Sequence, residues 1–347
     1  MVIITNKIWK TIVIVVLLLL GVFAISQRRL VLYTVLQAKG QLNVIWNARP
    51  IDEILSDQNF PDSLKVKIRL IQEIRTYAID SLGLKNSESY TSVFDQKGKD
   101  ILWNLSACKP YKLESYEWHF PILGTFSYKG FFDLDKAKVE REKLNREGYD
   151  TRIRRVNAWS TLGWFDDPIL TNQLQRSEGS IAELVMHELT HATIFIKDSL
   201  TFNENLASFI GEQGAERFLR YKYGTENAFL DSYIQSKEDY IKFTNHMLIA
   251  TKLLDSLYDS FPKNAKVDYM QEEKTKMIDH IGRAMDTVSF HNPKRFSGVF
   301  SNQLPNNCFF LSFDRYYSKQ DQFGGQLHQE YSGDLKAFID HYKSKNQ

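Results

Sequence analysis

The sequence predicts an α+β fold: a mostly helical body with a small sheet, plus a further helix at the N-terminus. Three observations predict it. Residues from about Ser180 to Met285 read as a long helix-rich half. Residues 116–132 gather aromatic and β-branched side chains broken by Pro121, Gly124 and Gly130, the pattern of strands and turns. Residues 12–25 are an unbroken apolar run at the start of the chain.

That run is Ile-Val-Ile-Val-Val-Leu-Leu-Leu-Leu-Gly-Val-Phe-Ala-Ile, preceded by Lys7 and Lys10 and followed by Arg28 and Arg29. A bilayer span takes about 20 apolar residues and a signal-peptide core about 7–15. Reaching back over Ile8 and Trp9, with the Lys10 stem snorkelling, gives a workable span. The expectation is a membrane anchor over residues 1–30, with a cleaved signal as the alternative at Ala24-Ile25-Ser26, and an exported, periplasmic body. The flanking bases balance, so charge leaves orientation open.

The remaining elements follow in order. Residues 30–60 read as a short helix, then a break at Arg49-Pro50. Pro61-Asp62 opens a helix whose apolar face carries Leu64, Val66, Ile68, Ile71, Ile74 and Ile79 up to Gly83. Asp135–Glu147 is a charged helix closed by Gly148, and Thr151–Leu162 is a strand candidate. The C-terminal portion, with Pro293, Pro305 and Gly324-Gly325, reads as less regular until a last helix near Asp334–Tyr342. With no repeat and no long linker, residues 31–347 are expected to form one domain.

Composition bounds the function. The 347 residues are 43% hydrophobic and 25% charged, a globular balance that excludes a disordered or low-complexity chain. A net charge of +2 argues against a dedicated nucleic-acid binder. Six bases and no acid fall in residues 1–50, which leaves the body at −4. Two cysteines, Cys108 and Cys308, exclude a disulfide scaffold or a Cys-rich zinc module, and leave open one bridge or two buried thiols.

The segment that carries chemistry is His187-Glu188-Leu189-Thr190-His191. On a helix, residues four apart project from one face about 6 Å from each other, so two imidazoles can hold one zinc ion without distorting the backbone. Glu188, one residue on, can approach a water at the metal without ligating it. Ser180 and Glu183 suggest a capping box, and Ile181, Leu184, Val185, Leu189 and Ala192 give the helix an apolar face. A hydrolytic zinc site needs a third protein ligand. Glu204, in the first turn of a second, antiparallel helix, could supply it. Thr201 and Glu204 could equally form a capping box that leaves Glu204 in solvent, and spacing alone keeps both readings open.

With these residues in view, the stretch resembles the gluzincin metallopeptidases, in which a His-Glu-x-x-His helix is followed by one bearing Asn-Glu, here Asn203-Glu204. More narrowly it resembles the predicted bacterial aminopeptidase family, whose members are exported or lipid-anchored. The resemblance covers most of the body: Gln37-Ala38-Lys39-Gly40-Gln41-Leu42, Trp118-His119-Phe120-Pro121, Tyr128-Lys129-Gly130-Phe131-Phe132-Asp133, Ala158-Trp159-Ser160-Thr161-Leu162-Gly163-Trp164-Phe165, Gly211-Glu212 and Asn306-Asn307-Cys308. It implies a zincin-like fold, one zinc per chain on His187, His191 and Glu204, and Glu188 as general base. Two departures stand out. No lipobox cysteine follows the apolar run, so a plain membrane anchor replaces the lipid. The position four residues after Glu204 is Ser208, where many gluzincins place an aspartate that orients a histidine.

The function this implies is zinc-dependent peptide hydrolysis, of aminopeptidase type, on a peptide substrate. Alternatives are a zinc amidase acting on a non-protein amide, and a membrane-tethered binding protein that keeps the fold without catalysis. Glu183, Glu212, Asp166 and Asp167 are candidate acids for recognising a free amine, and Tyr316, Tyr317 and His328 are candidate oxyanion donors. The end of the 152–162 strand is a candidate edge for pairing with substrate backbone. Substrate sequence and oligomeric state leave no mark in the sequence.

Overall fold

A computed structural model describes residues 9–15, 18, 25–120, 124–156, 166–197, 199–301, 304–317 and 319–345. Its contacts divide the chain into two units, Met1–Asn47 and Ala48–Gln347. In the first unit residues 9–15 are helical and exposed, and α1 (Arg28–Trp46) presents exposed Leu32 and Val35. No helix among the described residues is long and apolar enough to cross a membrane. Residues 16–17 and 19–24 of the apolar run lie outside them.

The second unit is mostly helical with little sheet. Its strands are short. β1 (Arg49–Pro50) pairs antiparallel with β2 (Ser92–Phe94), which pairs parallel with β8 (Ile169–Leu170). A second sheet has the order β6 (Lys129–Phe131), β3 (Trp103–Cys108), β7 (Asp150–Arg155), antiparallel throughout. β4 (Trp118–Phe120) and β5 (Gly124–Phe126) form a hairpin. The expected strands thus arise as fragments, and residues 157–165, where substrate-strand pairing was expected, lie outside the described residues.

Between β1 and β2 run α2 (Ile51–Ser56) and α3 (Asp62–Asp80). Pro61 caps α3, where its missing N–H costs no hydrogen bond, and Gly83 takes the positive φ (+71°) that turns the chain back. Ile68, Ile71 and Ile74 bury part of the face that the spacing predicts and Ala78 joins them, whereas Leu64 and Ile79 are half-buried and Val66 points to solvent. α4 (Leu134–Arg146) begins where Asp133 accepts from the backbone N–H groups of Asp135 and Lys136, and ends before Gly148.

The helical half contains α5 (Glu178–Thr193), α6 (Leu200–Tyr223), α7 (Ala228–Asp259) and α8 (Val267–Met285). Beyond it the stretch with Pro293 and Pro305 is irregular as expected, with one short 3-10 turn at Pro293–Arg295, but the reading is corrected from Asn307 onward. α9 (Asn307–Tyr317) and α10 (Gln320–Tyr331) precede α11 (Leu335–Ser344). Gly324 and Gly325 lie inside α10, whose Phe323 and Leu327 are fully buried, so packing overrides poor helix propensity.

Two apolar clusters hold the unit together. One gathers Ile68, Ile71, Ile181, Val185, Leu206, Ile210, Phe323 and Phe338 from α3, α5, α6, α10 and α11. The other joins α7, α8 and α9 through Phe243, Met247, Leu254, Ile278, Ile281 and Phe310. The candidate metal centre belongs to the α5–α6 hairpin in the first of these.

Candidate metal centre

α5 is mostly buried, as a helix carrying Ile181, Ala182, Val185, Met186 and Leu189 at core positions requires. It starts three residues before the predicted cap. Ser177 is the N-cap, and its hydroxyl accepts from the Ser180 N–H at 3.4 Å. Both serines precede the apolar run by a plausible distance, and the helix takes the earlier one. Glu183 is therefore not a capping-box partner; its carboxylate accepts from the Tyr233 hydroxyl at 3.0 Å.

α6 runs antiparallel to α5. As numbering falls along α5 from His191 through His187 to Glu183, the facing residues of α6 rise from Glu204 to Gly211. Gly211 makes the approach close: a Cβ there would stand 2.7 Å from the Glu183 carbonyl oxygen and 3.2 Å from His187 Cβ. The turn between the helices is held by Asn203. Its Oδ1 accepts from the Ile196 N–H at 2.9 Å and its Nδ2 donates to the Ile196 carbonyl at 2.7 Å. Asn205 secures the next neighbour by accepting from the Lys319 N–H at 2.9 Å, just ahead of α10.

Between these two asparagines Glu204 turns inward. Its Oε2 is 3.6 Å from His187 Nε2 and 3.6 Å from His191 Nε2, and the two nitrogens are 3.1 Å apart. The capping-box alternative for Thr201 and Glu204 is not what forms: Ser199 precedes α6 without a side-chain cap, and Glu204 is buried. Three donors each about 2.0–2.2 Å from one tetrahedral ion stand roughly 3.3–3.6 Å from one another. Two sides of the observed triangle fall in that range and the third is about 0.2 Å shorter, so His187, His191 and Glu204 could together hold a metal ion.

The electrostatics suit a cation. Burial pushes the Glu204 carboxyl up, but hydrogen bonds and charge from His187 and His191 outweigh it and hold the group well below the usual carboxylate range. Burial lowers His187, and the Glu204 hydrogen bond with the charges of Glu188, Glu204 and Glu183 reverses the sign, so the imidazole is raised. Glu188 is buried one residue from His187, with Oε2 free of any hydrogen-bond partner. His191 Nδ1 is likewise buried and unpartnered. Ser208 is buried one turn beyond Glu204, and no hydrogen bond joins it to either imidazole.

A profile of the family described as putative aminopeptidase matches residues 32–347. The chain belongs to that family. No curated protein and no solved structure matches it.

In this family member the candidate amine-binding acids are distributed unevenly. Glu212 is buried and paired with Lys237 at 3.0 Å; burial pushes its carboxyl up to about 7. Glu183, one turn before His187, is half-buried. Asp166 is exposed and Asp167 buried. Of the candidate oxyanion donors, His328 is exposed on α10, and the side chains of Tyr316 and Tyr317 lie outside the described residues.

Sequence reasoning passed over Tyr233 and Lys237 of α7, which bind Glu183 and Glu212, because contacts between distant segments leave no spacing signal. It also passed over Tyr90. That residue holds φ +65°, buries an unpartnered hydroxyl and lies in the field of Glu188, and burial followed by that charge raises its phenol well above the ordinary value. A non-glycine residue in the left-handed region has no signature that spacing could reveal.

Proposed function

We propose that this protein is a zinc-dependent peptidase of aminopeptidase type, built on a zincin-like gluzincin fold. The observation that carries the reading is the convergence of His187, His191 and Glu204, 3.1–3.6 Å apart, beside a buried glutamate with an unengaged oxygen. Family membership supports aminopeptidase action over another amide. Two nitrogens and one carboxylate oxygen are a donor set of catalytic zinc, with one position left open.

When bound, zinc lowers the pKa of a coordinated water toward about 7 and polarises a scissile carbonyl. His187, His191 and Glu204 would hold it, two charge-neutral imidazoles and one carboxylate. Glu188 acts as general base: its free oxygen takes a proton from the attacking water and passes it to the leaving amine. That oxygen is buried and carries no other hydrogen bond, so it is not engaged elsewhere. The body would be tethered by residues 12–25 with its site outside the cytoplasm, a reading that the apolar run and its flanking bases support.

Metal analysis with a panel of free and N-blocked peptides tests the reading. Wild type should carry about one zinc per chain and cleave free N-termini. Glu188→Gln should keep the zinc and lose roughly 10²–10⁴ in kcat, the usual worth of a general base. Glu204→Gln should lose the zinc. A Glu188→Gln protein with full activity refutes the base, and a zinc-free wild type refutes the centre. Cleavage of blocked peptides alone would sink the aminopeptidase assignment.

A further inference from the structure

Cys108 ends β3 and Cys308 opens α9, 200 residues apart in sequence. Their Sγ atoms stand 2.9 Å from each other, and both side chains are buried. A disulfide bond measures about 2.04 Å, so a small rotation of either side chain closes the remaining gap. The surrounding backbone already fixes both ends. Cys108 is paired with Asp150 across the β3–β7 ladder, and the Asp150 carbonyl accepts from the Cys308 thiol at 3.3 Å. Asn306 donates to the Thr151 carbonyl at 2.8 Å, and the Asn307 N–H donates to the Asp150 carboxylate at 3.3 Å, so the start of α9 is pinned to β7 beside the sulfurs.

The two sulfurs differ in access. Cys308 lines a small surface depression with Asn104, Ser106, Arg152 and Arg154, whereas Cys108 does not line it and is fully covered. A hydrogen bond with Cys308, then burial, holds the Cys108 thiol far above its usual range.

We propose that Cys108 and Cys308 are a disulfide-forming pair that stitches the β6-β3-β7 sheet to α9, closed by exchange with an external disulfide that reaches Cys308 first. The Cys308 thiolate attacks the oxidant's disulfide, forming a mixed disulfide and releasing one thiolate. Cys108, relieved of its hydrogen-bonded partner, loses its proton and attacks Cys308 Sγ, releasing the second thiolate. Both cysteine protons end on the two released thiolates. One oxidant disulfide is reduced and one protein disulfide is formed, so electrons balance.

The test uses full-length protein in detergent with oxidised glutathione as the probe, followed by denaturation, alkylation and intact mass. Expected are two alkylated cysteines after dithiothreitol and none after oxidised glutathione, with the oxidised chain two hydrogens lighter. A proteolytic fragment joining the two segments locates the bond. Cys108→Ser should trap one glutathione on Cys308, while Cys308→Ser should take none. The oxidised wild type should melt several degrees above the reduced one with its zinc content unchanged, which separates this pair from the metal centre. Two alkylated cysteines after oxidation, or a bond found only between chains, would overturn the proposal. Glutathione on Cys108 in place of Cys308 would overturn the order of attack.

Discussion

Gly211→Ala is the substitution whose sign the helix pairing decides. In an open helix the change should stabilise by about 1 kcal/mol, because glycine is the poorer helix former. Here the added methyl would meet the Glu183 carbonyl oxygen at 2.7 Å, whereas ordinary van der Waals contact begins near 3.4 Å. The obstacle is backbone, so relief requires α6 to move outward by about 0.7 Å or α5 to bend. Overpacking of this kind costs about 1–3 kcal/mol, which leaves a net loss of about 0–2 kcal/mol after the propensity gain. The proposed metal centre would weaken as well, because the same helices carry His187 and Glu204. Thermal unfolding of metal-free and zinc-loaded protein reads the first effect, and competition with a zinc chelator the second. Gly325→Ala is the control: nothing lies within 4 Å of its Cβ position, so it should raise stability by about 1 kcal/mol. If Gly211→Ala stabilises as much as Gly325→Ala and leaves zinc affinity unchanged, the close α5–α6 approach is wrong.

Further expectations concern charge. The Glu212 carboxyl is raised by burial to about 7 from an ordinary 4.5. Between those values the folded chain holds a proton that the unfolded chain has lost, so stability from this group falls as pH rises and is flat above about 7. At 1.36 kcal/mol per pH unit the fall is at most about 3 kcal/mol. Denaturant unfolding of metal-free protein from pH 5 to 8 should show a decline that Glu212→Gln makes shallower; an unchanged slope in that variant refutes the assignment. Lys274 is buried, 2.5 Å from the Asp150 carboxylate and 2.9 Å from the Pro110 carbonyl. Lys274→Met leaves that carboxylate uncompensated and should cost about 3–5 kcal/mol. A loss under 1 kcal/mol in chemical denaturation would show that the Asn307 N–H alone suffices.

The grouping of the candidate ligands was largely legible because two of them are local. His187 and His191 fall four apart on a helix marked by its own apolar stripe, and only the cap was misplaced. Glu204 needed one fact that spacing does not contain, that the second helix folds back along the first. Gly211 was visible as a residue but not as a contact, since closeness between helices depends on both partners. The strands were harder. Pieces of two or three residues such as β1, β2 and β8 are too short to show alternation, and their pairing spans the chain from Arg49 to Leu170. α10 was missed for a different reason: Gly324-Gly325 signals a break locally, and only burial of Phe323 and Leu327 against the core overrules it.

Glu204 follows His187 by seventeen positions, and Asn203 clamps the turn between their helices. Closing so short a loop takes little chain entropy compared with pairings that span a hundred residues or more. The hairpin can therefore form early in folding, before β2 finds β8. An ion that grips three donors on that hairpin would then speed folding as well as slow unfolding, because its ligands are already together in the transition state. The centre would act as a nucleus for the chain as well as its point of reaction.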